Sequence, residues 1–279
     1  DGVAAADLPA RVAAAVEAVG EVPTDAGEIT VTVGYAPEHA LALWPERAAA
    51  ASALPAFTRD DPAIITGGDL AVQVCAETAS GARDASDAVI AALGGRTLWE
   101  QSGYRDAPTP HGTARTSTGF IDGIINPRTS ELLAAGVWTD AEHNDTHLVV
   151  RRMYIDAAFT ARPVSEQEQA IGRSRATGAP LSGGGPDDEV DLFSKTADGR
   201  LLTPVSAHAR RAHPSNIGRA LMLRRSYSFD PPSGAGLVFI AFVADPQTFV
   251  LTQHRLDEMD DLLANTSTDA SGCFFVPGS

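Results

Sequence analysis

Strand-like and helix-like segments alternate along most of the 279-residue chain, and this alternation restricts the fold more than any other feature of the sequence. In the first half, an alanine-rich stretch over residues 8–19 predicts a helix. Over residues 27–35, Ile29, Val31 and Val33 alternate with polar residues as in a half-buried strand. The elements predicted next are a helix interrupted by Pro45 (38–53), a strand (69–77), a helix (84–95) and a strand (96–105).

The second half contains the same mixture of elements. Its predicted strands cover residues 145–156, 219–230 and 236–245, and its predicted helices cover 165–174 and 246–263. Ser165 and Glu168 have the spacing of a capping box at the start of the first of these helices. The stretch 177–205 is rich in glycine, proline and acidic residues and contains no predicted element, and its length is typical of a functional loop.

The order of these elements also limits the type of sheet. No predicted strand is followed by a glycine fingerprint that opens a helix, so a doubly wound parallel sheet is disfavoured. The pattern instead predicts an α+β fold with mainly antiparallel sheets, divided into domains of residues 1–140 and 141–279.

Charge and cysteine content exclude several classes of protein. The formal charge is −15, and the arginines form no stripe that would reverse the field locally, so nucleic acid is a poor partner. No segment has the length and apolarity of a membrane span, and membrane insertion is not expected. Cys75 and Cys273 lie in apolar, strand-like segments, which predicts buried thiols, with a single disulfide left open as the alternative.

Two segments suggest nucleotide or metal chemistry without strong support. Residues 181–191 contain a glycine run but lack the Gly-Lys-Ser/Thr ending of a phosphate loop, and calcium binding by their acids is a minor alternative to solvated loop charge. His143 and His147 would share a metal on a helix, but before a strand, residues four apart lie about 13 Å from each other. No Gly-x-Ser-x-Gly elbow supports a serine hydrolase.

Three further segments place reactive side chains in apolar or stiffened surroundings. Asp122 lies between two glycines in the apolar run GFIDGIINPR, and Arg224 follows an apolar run in LMLRRSYSF. An arginine in such a position needs an anionic or hydrogen-bonding partner. His208 and His213 lie in AHARRAHPSN, directly after the long loop. The combination of an acid, a histidine and an arginine in these settings indicates a haem peroxidase.

Four motifs, in this order, resemble those of the dye-decolourising peroxidase family. They are GFIDGIINP (119–127), QEQAIGRSRATGAPLSGG (167–184), AHARRAHP (207–214) and MLRRSYSF (222–229). The first is similar to the family's Gly-x-x-Asp-Gly signature, and the resemblance extends from about residue 27 to the C-terminus. It implies two ferredoxin-like domains whose antiparallel sheets face each other, as in the dimeric α+β barrel type, with the distal loop in the first domain and most haem contacts in the second.

The resemblance also implies roles for individual residues. Asp122 would be the distal acid–base residue, Arg224 the distal arginine and His208 the proximal ligand of the haem iron. Asp260 falls where the family has an acid that accepts a hydrogen bond from the proximal imidazole, with Asp261 as the alternative register.

Three weaker assignments follow from the same motifs. Arg173 would contact a haem propionate or else form a surface salt bridge. Gly119 and Gly123 would let the backbone approach the porphyrin. Ser226 replaces the glycine that is usual after the two arginines, which would direct a hydroxyl towards the distal pocket.

The function implied is that of a haem peroxidase with one haem b per chain. It would reduce hydrogen peroxide through a ferryl intermediate and oxidise bulky organic reductants such as dyes and phenolics. Its activity would be favoured by acidic pH and limited at the low end by protonation of Asp122. Export from the cytoplasm is expected because the motifs match an exported subfamily best. The alternatives are a haem-binding protein for haem carriage or iron release, and a ferredoxin-like protein without a cofactor.

Overall fold

The computed structural model describes residues 4–22, 27–109, 113–140, 142–232 and 234–278. Its α-helices are α1 (Leu8–Val19), α2 (Pro37–Leu43), α3 (Ala79–Leu93), α4 (Ser130–Gly136), α5 (Ala157–Thr160), α6 (Val164–Ile171), α7 (His208–Arg211) and α8 (Pro246–Met259). Its strands are β1 (Thr30–Tyr35), β2 (Asp60–Thr66), β3 (Leu70–Cys75), β4 (Ala114–Arg115), β5 (Ile121–Asp122), β6 (Thr146–Ile155), β7 (Leu223–Arg224), β8 (Tyr227–Phe229), β9 (Ala235–Val243) and β10 (Thr266–Val276).

Eight of these strands form one hydrogen-bonded sheet in the order β3-β1-β10-β6-β9-β7, with β2 also paired to β10 and β8 to β9. Every pairing is antiparallel except that of β2 with β10. The long strand β10 lies between β6 on one side and β1 and β2 on the other. The last strand of the chain therefore joins strands of the first half to strands of the second.

The sheet curls so that its ends come into contact. The Sγ atom of Cys75 on β3 lies 3.1 Å from the Tyr227 hydroxyl on β8. Between these ends lies an apolar core that contains Leu148, Val150, Phe229, Val238, Ile240 and Phe274. The predicted α+β fold with mainly antiparallel strand pairing is confirmed, with eight strands joined in one curled sheet, whereas the domain boundary near residue 140 stays a prediction.

Helix α8 covers the opposite face of the sheet. Phe249 and Val250 of α8 pack with Val149, Ala241 and Val243 in a second buried cluster. Asp245 caps the helix by accepting a hydrogen bond from the Gln247 amide, and its Pro246 occupies the first turn, where no N–H is needed. Among the described residues, no helix is both long and apolar enough to cross a membrane.

Several predicted elements differ from the structure. The strand predicted over 96–105 is wrong, since only Tyr104 forms a bridge there, to Ser228, and Trp99 instead packs on the core with Arg152 over its ring. The predicted capping box is also wrong, because α6 begins at Val164 without a side-chain cap and the Glu168 carboxylate accepts from the Arg175 amide.

Both cysteines are free, as expected, so the open alternative of a disulfide does not occur. Cys273 is buried in the cluster beneath α8, and this burial raises the pKa of its thiol to about 12. Cys75 is half-buried and contacts Tyr227. The prediction of a buried thiol is thus confirmed for Cys273, whereas Cys75 is only half-buried.

Candidate functional site

A cavity of about 240 Å³ lies between the face of the sheet that carries α8, the α7 segment and the loop that follows β5. Most of its lining is apolar and includes Ile121, Ile124, Ile171, Met222, Phe239 and Leu256. The charged or titratable side chains in its wall are Asp122, Arg151, Arg173, His208, His213 and Arg224. An apolar cavity with a few convergent polar groups is the usual form of a ligand or cofactor site.

Asp122 enters the cavity from the short strand β5, which pairs with β4. Gly123, at φ 77°, makes the turn that follows, and its amide donates a 2.7 Å hydrogen bond to Oδ1 of Asp122. The same oxygen lies 3.9 Å from Nε of Arg224, and both side chains are about one quarter exposed. The structure therefore brings the two predicted distal residues together in one wall, and no hydrogen-bond partner for Oδ2 of Asp122 is found among the described residues.

His208 begins α7 and faces the same cavity. Its Nδ1 lies 3.0 Å from Oδ2 of Asp260, the buried residue that directly follows α8. Oδ1 of Asp260 accepts a hydrogen bond from the Leu263 amide. Asp261 instead accepts a hydrogen bond from the Ser206 hydroxyl, so the register with Asp260 is the one that reaches the imidazole.

The Asp260 carboxylate changes the proton affinity of His208. Burial acts to lower the pKa of His208, but the charge of Asp260 and its hydrogen bond outweigh burial, and the pKa is raised. When Nδ1–H donates to Asp260, the lone pair of Nε2 is left over, and no partner for Nε2 is found among the described residues. His208 can therefore offer Nε2 to a ligand in the cavity.

Arg173 lies in the cavity wall with only 7 % of its surface exposed. Its guanidinium donates to the carbonyl groups of Gly178 and Asp188, both at 2.9 Å. Burial, followed by the charge of nearby Arg224, lowers its pKa. The expected alternative of a surface salt bridge is wrong, because the side chain is buried and binds backbone carbonyls, whereas a propionate contact stays a prediction.

The stretch 177–205 has no helix or strand beyond isolated bridges, as predicted, and it forms part of the cavity wall through the buried side chain of Val190. Arginine side chains fix this stretch by donating hydrogen bonds to its backbone carbonyls. Arg173 binds its first part, and Arg210 donates to the carbonyls of Leu192 and Thr203 in its second part. The loop is therefore a fixed wall of the site.

Two expectations about small residues need correction. A Cβ on Gly119 would lie 2.6 Å from Nε of Arg175, so this glycine makes room for Arg175 and does not line the cavity, whereas Gly123 does line it. Ser226 is buried, but it is not part of the cavity lining, and so its hydroxyl does not point into the site.

Sequence reasoning missed the contacts of three residues of the site. Asn126 binds the backbone of Arg224 through both ends of its amide. Arg151, buried in the cavity wall, pairs with Asp60 at 2.5 Å and lies over the Phe57 ring. The available signals were the Asn-Pro at the end of the Asp122 motif and a charged residue inside the apolar run HLVVRRMYI.

The third residue is His213, which the sequence indicated only as an alternative ligand to His208. It also lines the cavity, and its Nδ1 accepts from the Ser215 amide. Its Nε2 lies 3.5 Å from the Glu189 carboxylate of the long loop. The wall thus contains a second imidazole, which is already engaged on both sides.

The alternative metal segment does not bring its two histidines together. His143 groups with Asp140 and Asp145, while His147 is fully buried and its Nδ1 lies 3.2 Å from the Ala244 carbonyl. Both oxygens of Asp145 are already bound by the Arg47 guanidinium. Among the described residues, the acids of 187–191 form no group of three ligands either.

Comparisons with known proteins agree with this geometry. Residues 113–279 match the model of the family described as Dyp-type peroxidase, C-terminal. The dye-decolorizing peroxidase of Thermobifida fusca is 33 % identical over 90 % of this chain and 64 % of its own length. A deferrochelatase of Yersinia pestis is 30 % identical over 68 % of this chain and 49 % of its own length. The chain therefore spans less than two thirds of the length of these curated relatives.

The solved oxyferrous complex of DtpA from Streptomyces lividans superposes with a TM-score of 0.88 at 31 % identity, and the match covers 100 % of this chain and 86 % of that one. Fold and sequence thus agree over nearly all of the chain. The family match includes the segments that supply Asp122, His208, Arg224 and Asp260. On this basis the chain belongs to the Dyp-type peroxidase family.

Proposed function

We propose that this chain is a haem peroxidase that reduces hydrogen peroxide and oxidises bulky organic reductants such as dyes and phenolics. One observation carries the proposal. A single apolar cavity brings together an imidazole with a free nitrogen, a carboxylate and a guanidinium, His208, Asp122 and Arg224, which come from three separate segments of the chain.

The residues of the cavity fit a haem b group. Its mainly apolar lining suits a porphyrin, and Nε2 of His208 is the kind of ligand that holds haem iron in peroxidases. Asp260 fixes the imidazole by accepting from Nδ1, which is the usual arrangement for a metal-binding histidine. When bound, haem would supply the iron to which peroxide binds and the two electrons that peroxide takes up as its O–O bond breaks, which the organic reductants then replace.

Asp122 would act as the base and then as the acid. Its carboxylate takes the proton from the peroxide oxygen that faces the cofactor and returns it to the outer oxygen, which leaves as water. The hydrogen bond from Gly123 occupies one lone pair of Oδ1 and leaves Oδ2 for this proton. Arg224, 3.9 Å away, would stabilise the negative charge that develops on the leaving oxygen.

His208 would bind the haem iron, and Asp260 would orient the imidazole of His208. The buried carboxylate keeps the proton of the imidazole on Nδ1, so that Nε2 keeps its lone pair and gains basicity. Reductants too large for the cavity would be oxidised at its opening. Export of the chain from the cytoplasm stays a prediction from the sequence.

An absorption spectrum tests this function directly. The purified chain, loaded with haem, should show a Soret band that changes within seconds of adding one equivalent of hydrogen peroxide and returns when a dye is added. A double variant, Asp122→Asn with Arg224→Leu, should keep the Soret band and lose the rapid change. A wild-type chain that binds haem but leaves peroxide unreacted would contradict the proposal.

A protein that only carries haem or releases its iron is the second candidate, since relatives described as deferrochelatases match part of the chain. Such a protein needs His208 but has no use for a base and a fixed cation at 3.9 Å in the same cavity. The response of the Soret band to peroxide separates the two functions. A peroxidase loses the rapid response in the double variant, whereas a haem carrier would behave the same with and without the two substitutions.

A further inference from the structure

Asn126 lies four residues after Asp122 and contacts the other distal residue. Its Nδ2 donates a 2.8 Å hydrogen bond to the carbonyl of Arg224, and its Oδ1 accepts a 3.1 Å hydrogen bond from the amide of Arg224. One side-chain amide therefore satisfies both backbone groups of one residue, as a neighbouring strand would do.

This contact completes an edge of the sheet. On one side, β7 pairs with β9, and the amide of Arg225 donates to the Ile240 carbonyl there. In an antiparallel strand the backbone groups of the preceding residue point the other way, away from β9. Asn126 meets the groups of Arg224 on that outer side, where no strand is found among the described residues.

A second contact attaches the segment that carries Asp122 to the sheet, at Ser117, five residues before Asp122. The amide of Ser117 donates to the Ser228 hydroxyl at 2.9 Å, and the Ser117 hydroxyl donates to the Gly236 carbonyl at 3.2 Å. The segment from Ser117 to Asn126 is thus attached to β8 and β9 before Asp122 and to β7 after it. Of the two attachments, only that of Asn126 binds the residue that carries the distal cation.

We propose that Asn126 is the positioning residue that sets the distance between the Asp122 carboxylate and the Arg224 guanidinium, an inference that rests on the proposed peroxidase function. The two groups lie 3.9 Å apart, longer than the 2.7–2.9 Å typical of a charge-assisted hydrogen bond. Arginine and carboxylate side chains that are free to move close into such a pair. A closed pair would occupy the lone pairs that must accept the proton and the donors that must stabilise the leaving oxygen.

Asn126 would therefore hold the two groups near each other and also keep them from closing. It does so through the backbone of Arg224, which it ties to the loop that carries Asp122. Asn126 touches neither peroxide nor cofactor in this role. Its removal should weaken reactions that need both distal groups and leave the fold and the haem content unchanged.

Two substitutions test this role in the full chain loaded with haem. Asn126→Ala removes both hydrogen bonds, and Asn126→Asp keeps the size and the acceptor but places a carboxylate oxygen against the Arg224 carbonyl. Thr129→Ala is the matched control, because Thr129 accepts from the Leu132 amide in the same segment and no hydrogen bond joins it to Arg224 among the described residues. All variants are compared at equal haem content and with their melting temperatures measured.

Cyanide affinity, read from the Soret shift, serves as a measurement that needs no turnover. Hydrogen cyanide gives up its proton when it binds ferric haem, so its affinity depends on an available base and a nearby cation. We expect both Asn126 variants to bind cyanide about tenfold more weakly and to react with peroxide about tenfold more slowly, with an unchanged KM for the reductant. Thr129→Ala should change each value less than twofold.

The inference is overturned if both Asn126 variants bind cyanide and react with peroxide as Thr129→Ala does. A wild-type chain that binds haem and cyanide but does not react with peroxide contradicts the proposed function instead. In that case the cyanide affinities of the variants still decide whether Asn126 positions Arg224. The two failures are therefore distinguishable.

Discussion

Nδ1 of His208 lies 3.0 Å from Oδ2 of Asp260, although 52 positions separate the two residues in the sequence. Asp260 is 3 % exposed and directly follows α8, where its other oxygen accepts a hydrogen bond from the Leu263 amide. The carboxylate is thus held by the backbone while it holds the imidazole. A substitution of Asp260 should therefore change how strongly Nε2 of His208, the ring nitrogen left over for the cavity, binds a ligand.

Asp260→Asn should shift the pH dependence of haem uptake. Iron binds the neutral imidazole, and Asp260 raises the pKa of His208, so uptake by the protein without haem should weaken as pH falls through that raised pKa. Removing the charge lowers the pKa and moves this midpoint to lower pH. Titrations of the Soret band against haem at several pH values measure the midpoint, and an equal midpoint in both proteins would refute the coupling.

His208→Ala should abolish the Soret band or remove most of its intensity, because the substitution deletes the proposed iron ligand. His213→Ala is the informative control, since His213 lines the same cavity but uses both of its ring nitrogens in contacts with Ser215 and Glu189. Haem uptake that survives in His208→Ala and disappears in His213→Ala would reverse the assignment.

Asp122→Asn should slow the reaction with peroxide by about 10²–10⁴-fold, because the amide cannot accept the proton. Stopped-flow rate constants measured at one pH and at equal haem content test this effect. A variant that reacts with peroxide at the wild-type rate would exclude Asp122 as the base.

Arg224→Leu removes the fixed positive charge, and we expect the same rate constant to fall by about 10²–10³-fold. Arg224→Lys keeps the charge but loses the guanidinium geometry and should lie between the leucine variant and the wild type. Comparison with Asp122→Asn at one pH ranks the two distal residues. Equal rates for wild type and Arg224→Leu would leave the arginine without a role in this step.

His147 should make the fold less stable in acid. It is fully buried, and burial lowers its pKa below the ordinary value of 6.5. Above pH 6.5 the imidazole is neutral in the folded and in the unfolded protein. Below pH 6.5 the unfolded chain binds a proton at His147, whereas the folded chain does not until the pH reaches the lowered pKa. The free energy of unfolding should therefore fall as pH decreases from there, by at most about 1.4 kcal/mol per pH unit for one proton.

His147→Asn keeps a donor for the Ala244 carbonyl and has no imidazole to titrate. Denaturant unfolding at pH 7.5 and pH 5 should show a smaller loss of stability in this variant than in the wild type. The same loss in both proteins would mean that other groups account for it.

The two thiols should differ in reactivity. Cys273 is buried with its pKa raised to about 12, so it should stay unmodified by a thiol reagent in the folded protein at pH 8. Cys75 is half-buried and should react first. Two thiols should be counted after unfolding without a reductant, and a count of zero would indicate a disulfide that the structure does not contain.

Much of the fold could be predicted because its helices and apolar strands have a clear periodicity. The boundaries of α1 were predicted to the residue, and the apolar strands β6 and β9 to within about two. Strand β2 was missed, and β10 was recognised only as a strand-like segment around Cys273, for physical reasons. Pro62 argues against a strand in β2, and β10 begins with the polar segment TSTDASG although it lies in the middle of the sheet.

The candidate site was predicted from motifs, and its supporting contacts could not be. Asp122, His208 and Arg224 each lie in a recognisable segment, whereas the pairing of Asn126 with Arg224 joins residues 98 positions apart. Likewise, Gly119 is positioned by its contact with Arg175, which only the folded chain reveals. Contacts between distant segments depend on the register of the sheet, and no local pattern encodes them.

The position of β10 has a consequence for biosynthesis. Residues 266–276 follow every other described strand in the sequence, yet they fill the gap between β1 and β6. During synthesis, the edges of β1 and β6 that pair with β10 stay unpaired until residues 266–276 have left the ribosome. Removal of residues 266–276 would therefore prevent both halves of the sheet from joining, and the cavity, which Thr266 helps to line, can be complete only after these residues have been synthesised.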